Sequence, residues 1–191
     1  MSHSHIVYSE STHGVVMATT TLQQFSILDL RELVRQLLQL PDGSCIVGEE
    51  SGTVDGQPYI YLKPGDADDF GPARTYQDDQ GMETVVQPMV IDVKVTAVGK
   101  NSDAIMRKLR VALGSSPAKQ FNRLRHFAIT KMSPLKNVGG AIGAGYAQKT
   151  LLTLEITYVH KVIINQPYIY KVDITCVDDN GGKATGTVEV P

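Results

Sequence analysis

The sequence predicts an α+β fold: a mainly antiparallel or mixed sheet, covered on one face by helices, with an extra C-terminal β-hairpin. Three observations predict it. Residues 84–98 and 150–164 alternate apolar and polar positions over long stretches, so each strand needs cover on one face only. Residues 27–40 and 102–113 repeat apolar residues at threes and fours, as helices that bury one stripe do. After residue 166 come a strand pattern, the turn Asp179-Asn180-Gly181-Gly182 and a second strand pattern, which read as a hairpin. At 191 residues the chain is long enough for one full-sized domain and short for two. The expected organisation is an N-terminal arm over 1–21, the α+β domain over 22–165 and the hairpin extension over 166–191.

The polar opening, with His3 and His5 in an SHSH run, reads as a loose end. It has neither a basic nor a greasy segment of the secretory kind, so no signal peptide is expected. The first helix carries Ile27, Leu30, Leu33, Val34, Leu37 and Leu38 on one stripe. Ser26 and Asp29 resemble a capping box at its start, and Pro41-Asp42-Gly43 follows its end. Residues 45–48 and 59–62 are short strand candidates, the second rich in strand formers (Tyr59, Ile60, Tyr61, Leu62). Residues 63–81, acidic and rich in Gly and Pro, read as a long functional or mobile loop. In 84–98, Met89, Ile91, Val93, Val95 and Ala97 share one parity. The second helix buries Ile105, Met106, Leu109, Ala112 and Leu113 and turns Arg107, Lys108 and Arg110 toward water. Ser116-Pro117 opens a third helix, with Phe121, Leu124 and Phe127 following at threes. Residues 127–132 read as a short strand and the glycine-rich 137–149 as a flexible loop. In the last long strand Leu152, Leu154, Ile156 and Tyr158 face one way.

Charge is segregated along the chain. Residues 42–83 hold ten acids against two bases, a net of −8; residues 94–136 hold ten bases against one acid, a net of +9. Opposite fields on different faces suit the packing of identical subunits or the holding of a nucleic acid near the basic face. Asp66, Asp68, Asp69, Asp78 and Asp79 form the candidate acidic surface. Arg107, Lys108, Arg110, Lys119, Arg123 and Arg125 form the candidate basic interface.

The motifs of catalysis are missing, and no enzymatic activity is expected. There is no Gly-x-Ser-x-Gly elbow, and His126 and His160 stand in no recognisable triad pattern. GGAIGAG lacks both the spacing and the strand-then-helix context of a nucleotide loop. Asp66-Ala67-Asp68-Asp69 lacks the twelve-position order of a calcium loop. Cys45 and Cys176 read as two free thiols. No cofactor and no metal are expected, and no stretch approaches the roughly 18 apolar residues of a membrane span.

These patterns resemble the tail terminator and neck proteins of tailed bacteriophages. The resemblance covers residues 27–164 and runs through LDLRELV (28–34), YIYL (59–62), VQPMVIDVKVTAVG (86–99) joined to NSDAIMRKLRVAL (101–113), Ser133-Pro134 and LLTLEITYVHKV (151–162). Gln87, Val93, Val95, Gly99, Ser102, Ala104, Leu109, Arg110 and Leu113 fall on the most recognisable part of the family pattern. The resemblance implies a structural virion protein, assembled in the host cytoplasm. Its hexameric ring would cap the tail tube and join it to the head connector or a neck protein. Genomic DNA would pass non-specifically through the lumen. A contractile tail would add a sheath partner, and no membrane partner is implied. The acidic segment would lie near the lumen or a ring face. The arm and the hairpin would meet tube, sheath or connector, the hairpin reaching beyond the core family pattern. The alternatives are another neck or tail-completion protein, a non-specific DNA-binding protein using the second and third helices, or a metal-dependent enzyme using Asp66, Asp68 and Asp69.

Overall fold

The computed structural model describes residues 5–7, 18–48, 58–78, 82–142, 145–165, 171–177 and 183–189. The elements run β1 (His5–Val7), β2 (Thr19–Gln23), α1 (Ile27–Leu38), β3 (Cys45–Val47), β4 (Tyr59–Asp69), β5 (Arg74–Gln77) and β6 (Met82–Val98). They continue through α2 (Ser102–Ala112), α3 (Ser116–Leu124), β7 (Phe127–Met132), β8 (Lys136–Asn137), β9 (Gly140–Ile142) and β10 (Gly145–Ala147). The chain closes with β11 (Lys149–Asn165), β12 (Lys171–Val177) and β13 (Lys183–Glu189). The fold is α+β, with helices against one face of a mixed, largely antiparallel sheet and a C-terminal hairpin.

Two compact units divide the chain. The larger takes Thr21–Arg74 and Val85–Val162; the smaller takes Met1–Thr20, Thr75–Thr84 and Ile163–Pro191. In the main sheet the strand order is β2-β11-β6-β4-β3, with β5 also on β6 and β7 and β8 also on β11. β4 and β6 pair antiparallel, whereas β3 pairs parallel to β4 through Cys45 and Ile60. The core sits between this sheet and the helices. Leu30, Leu33 and Val34 of α1 and Met106 and Leu109 of α2 meet Ile60, Leu62, Val93, Val95, Leu152, Leu154 and Ile156. Those strand residues share the parities that the sequence assigns to the covered face. Before α1, Phe25 packs edge-on against Phe127, ring centres 5.4 Å apart, and stands 5.6 Å from Tyr158.

Local chemistry explains the element ends. α1 stops because Gln39 takes a left-handed conformation, and Gln39 N–H and Leu40 N–H close back on Gln36 O and Arg35 O. Ser26 occupies the N-cap position of α1, yet its side chain makes no cap bond, so the expected capping box is not formed. β6 joins α2 through a tight turn. Gly99 N–H donates to Gln148 O, Asn101 N–H donates to Gln148 Oε1, and Gly99 has a φ of 106°. A Cβ on Gly99 would also stand 3.1 Å from Pro58 Cα, so both the turn and the close approach require glycine. Ser102 does not cap α2 with its side chain. It is buried at the first turn, where its hydroxyl meets Thr150 Oγ1 at 3.1 Å. Ser115, one residue before the expected position, caps α3 by accepting from Ala118 N–H.

Four expectations are corrected. Residues 63–77 are mostly strand rather than loop: β4 runs on to Asp69 and β5 begins at Arg74. β6 supplies the ladder that holds this polar, Pro- and Gly-containing segment extended, a long-range cause that local composition hides. A bulge at Gly65 and Asp66, between the Pro64↔Val93 and Ala67↔Ile91 pairs, absorbs the irregular residues. In the glycine-rich segment, β9 and β10 pair antiparallel, with Gly145 opposite Ile142. At the N-terminus, His5–Val7 is not a loose end but a strand on β12, with Ile6 opposite Cys176, and β2 pairs with β11. Residues 8–17 lie outside the described residues. Finally, α3 buries Ala118 and Asn122 and leaves Leu124 70% exposed, because a 3.6-residue period carries the buried face off a strict run of threes.

The smaller unit contains a three-stranded antiparallel sheet in the order β1-β12-β13. Its hairpin pairs Lys171 with Glu189 through to Val177 with Lys183.

Candidate assembly surfaces

The acidic surface is built on the far half of β4. Among the described residues no strand pairs with β4 on its β3 side beyond Leu62, so with respect to them Pro64–Asp69 form a sheet edge there. Pro64, the bulge and the aspartates are the devices by which open edges resist pairing with other strands. Asp68 lies opposite Val90 and Asp69 opposite Met89, so their side chains point to opposite faces of the sheet. An extended strand therefore splays these carboxylates. Among the described residues no group of three or more His, Cys, Asp or Glu side chains is placed to hold a metal. Asp78 belongs to the smaller unit, where its carboxylate accepts from Met82 N–H at 2.8 Å. Asp79 lies outside the described residues.

At the end of β4 the chain turns through residues 70–73. Phe70 N–H donates to Pro88 O at 2.8 Å, and Gln87 Nε2 reaches Gly71 O at 2.9 Å and Pro88 O at 3.0 Å. The backbone is thus held to β6, while the Phe70 side chain is left 62% exposed.

The basic surface lies on α2 and α3. Arg107 is paired within α2 to Asp103 at 2.7 Å. Arg125 reaches back to Asp29 of α1 at 3.5 Å and stacks over Phe121. Lys108, Lys119 and Arg123 are exposed and have no ion-pair partner among the described residues; Arg110 is half-buried. Sequence spacing missed the apolar residues set into this surface. Val111 is 79% exposed, between Arg107 and Lys108 one turn before it. Its position off the buried stripe of α2 is the signal that finds it.

Two shallow depressions flank the turn between α3 and β7. One, of about 340 Å³, is lined by Phe70, Pro88, Met89, Phe127 and Tyr158, among others. Burial pushes the Tyr158 phenol above its ordinary range. The other, of about 420 Å³, is lined by Leu22, Asp29, Leu124 and Arg125, among others. His126 touches both and takes a left-handed conformation with a φ of 57°. Neither depression gathers a nucleophile, a base and an orienting group. Cys45 is a free, buried thiol. Burial pushes it up to about 12, and it donates to Arg31 O at 3.7 Å, so it stays protonated and unreactive.

The described surface carries an acidic strand edge, a basic helix pair and exposed apolar residues beside each. No curated protein sequence matches the chain. Residues 28–186 match the family model of the phage neck terminator protein, a span that takes in α1 from its second residue, the main sheet except β2, and most of the C-terminal hairpin. The hairpin accordingly lies inside the family pattern rather than beyond it, and the chain belongs to the phage neck terminator proteins, with a structural role in the neck and tail of the virion.

Proposed function

We propose that six copies of the chain form a ring that caps the tail tube and joins it to the head connector, with DNA passing through the lumen. The observation that carries this reading is the family match across nearly the whole fold. The charge pattern supports it. A subunit with acids on a strand edge and bases on helices presents different surfaces to its two neighbours, and such head-to-tail contacts give rings where the rotation closes. Asp66, Asp68, Asp69, Asp78 and Asp79 are proposed for the lumen or a ring face; Arg107, Lys108, Arg110, Lys119, Arg123 and Arg125 are proposed for an interface. A lumen poor in free cations lets DNA slide, because tightly gripped phosphates would hold it back. The role needs no catalysis and no cofactor. Assembly mass from light scattering and symmetry from negative-stain imaging test the proposal. A six-fold ring, formed alone or on tail tubes, is expected. A monomer that ignores both tubes and connectors overturns it.

A further inference from the structure

We propose that the end of β4 in one copy docks on the outer face of α2 in a second copy, with Phe70 against Val111 and the aspartates of the Asp66–Asp69 stretch supplying the negative field that faces Arg107 and Lys108. The inference rests on the ring reading and names the contact that builds the ring. Each surface is an apolar residue set among charges of one sign. Phe70 is 62% exposed and directly follows three aspartates within five residues. Val111 is 79% exposed and lies one turn after Arg107 and Lys108. Guarding the open edge of β4 explains the aspartates, Pro64 and the bulge. It does not explain an exposed phenylalanine on a turn whose backbone is fastened to Pro88 O and by Gln87. Exposed ion pairs contribute little one by one. The charges therefore set partner and register, and the two apolar residues exclude water at the centre.

The contact cannot close within one molecule. Phe70 shares its depression with His126 and Phe127, which follow the C-terminal end of α3. Val111 stands at the other end, where its carbonyl accepts from Gly114 N–H just before the Ser115 cap. The nine residues of α3 separate the two by roughly 13 Å at 1.5 Å per residue. Two different, separated surfaces of one subunit make a heterologous contact, which closes into a ring or runs on as a filament.

The test uses the full chain with two charge-reversed variants. One carries Asp66→Lys, Asp68→Lys and Asp69→Lys; the other carries Arg107→Glu and Lys108→Glu. All five side chains are exposed, and circular dichroism with urea midpoints verifies folding of each variant. Each variant alone should need at least about tenfold more protein for half-assembly. An equimolar mixture should recover assembly, because each reversed face then meets a reversed partner. Phe70→Ser and Val111→Ser, which leave charge untouched, should weaken assembly similarly. Variants that assemble like the parent, or a mixture that fails to recover, overturn the contact while leaving the ring standing. Loss of DNA binding with assembly unchanged in the Arg107→Glu, Lys108→Glu variant also overturns it, in favour of a nucleic-acid surface. A parent chain that stays monomeric even on tail tubes removes the ring reading itself.

Discussion

At the scale of single residues, the positions that carry the family resemblance are geometric. Gln87 pins the turn after β4, Gly99 makes the β6–α2 corner, Ser102 is buried against Thr150, and Leu109 and Leu113 fill the core. Gly99→Ala should destabilise the fold by about 2 kcal/mol or more, from the left-handed backbone and the contact with Pro58, read as a lower urea midpoint. An unchanged midpoint would mean that the corner relaxes. Glu32 sets a pH dependence. Arg35 grips its carboxylate with two hydrogen bonds of 2.7 and 2.8 Å and Gln36 adds a third, which hold Glu32 down at about 2 instead of 4.5. The folded value is the depressed one, so this contribution is complete above the unfolded value and is lost as pH falls toward 2. Urea midpoints from pH 6 to 2 should show a small loss in that window, absent in Glu32→Gln and weakened by salt. The same loss in Glu32→Gln would assign it to other carboxylates.

At the scale of elements, periodicity was a reliable guide wherever one face is buried. The helix stripe of α1, the parities of β6 and β11 and the whole of β7 were legible because burial imposes those periods. The extension of β4, the β9–β10 pair and the parallel seat of β3 were not, because distant partners rather than local residues create them. The acidic and basic segments of the candidate surfaces were legible as charge. Phe70 and Val111 were not singled out, Phe70 because it fell in a segment read as loop and Val111 because it was simply left off the buried stripe of its helix. α3 holds a local conflict. Asn122 is 7% exposed and its Oδ1 has no hydrogen-bond partner among the described residues. Asn122→Ala removes that orphan acceptor and improves helix propensity, at the expense of a small cavity. The variant should be more stable by about 1 kcal/mol in urea titration; a lower midpoint would show that the carbonyl is paired in solution.

At the scale of the whole molecule, Asp66, Asp68 and Asp69 of the acidic segment and the cations of α2 and α3 stand on different elements of the larger unit: a strand, and two helices over the core. A structural role in the neck and tail, which the family match gives, rests on surfaces of this kind rather than on a catalytic constellation. In the smaller unit the pairing of β1 with β12 joins residues some 170 positions apart. Chains emerge from the ribosome N-terminal end first, and closing so long a loop is entropically unfavourable. His5–Val7 therefore leaves the ribosome before α1 exists, yet has no strand to pair with until Lys171–Val177 has been made. β1 therefore waits for its β12 partner while every residue between the two strands is synthesised.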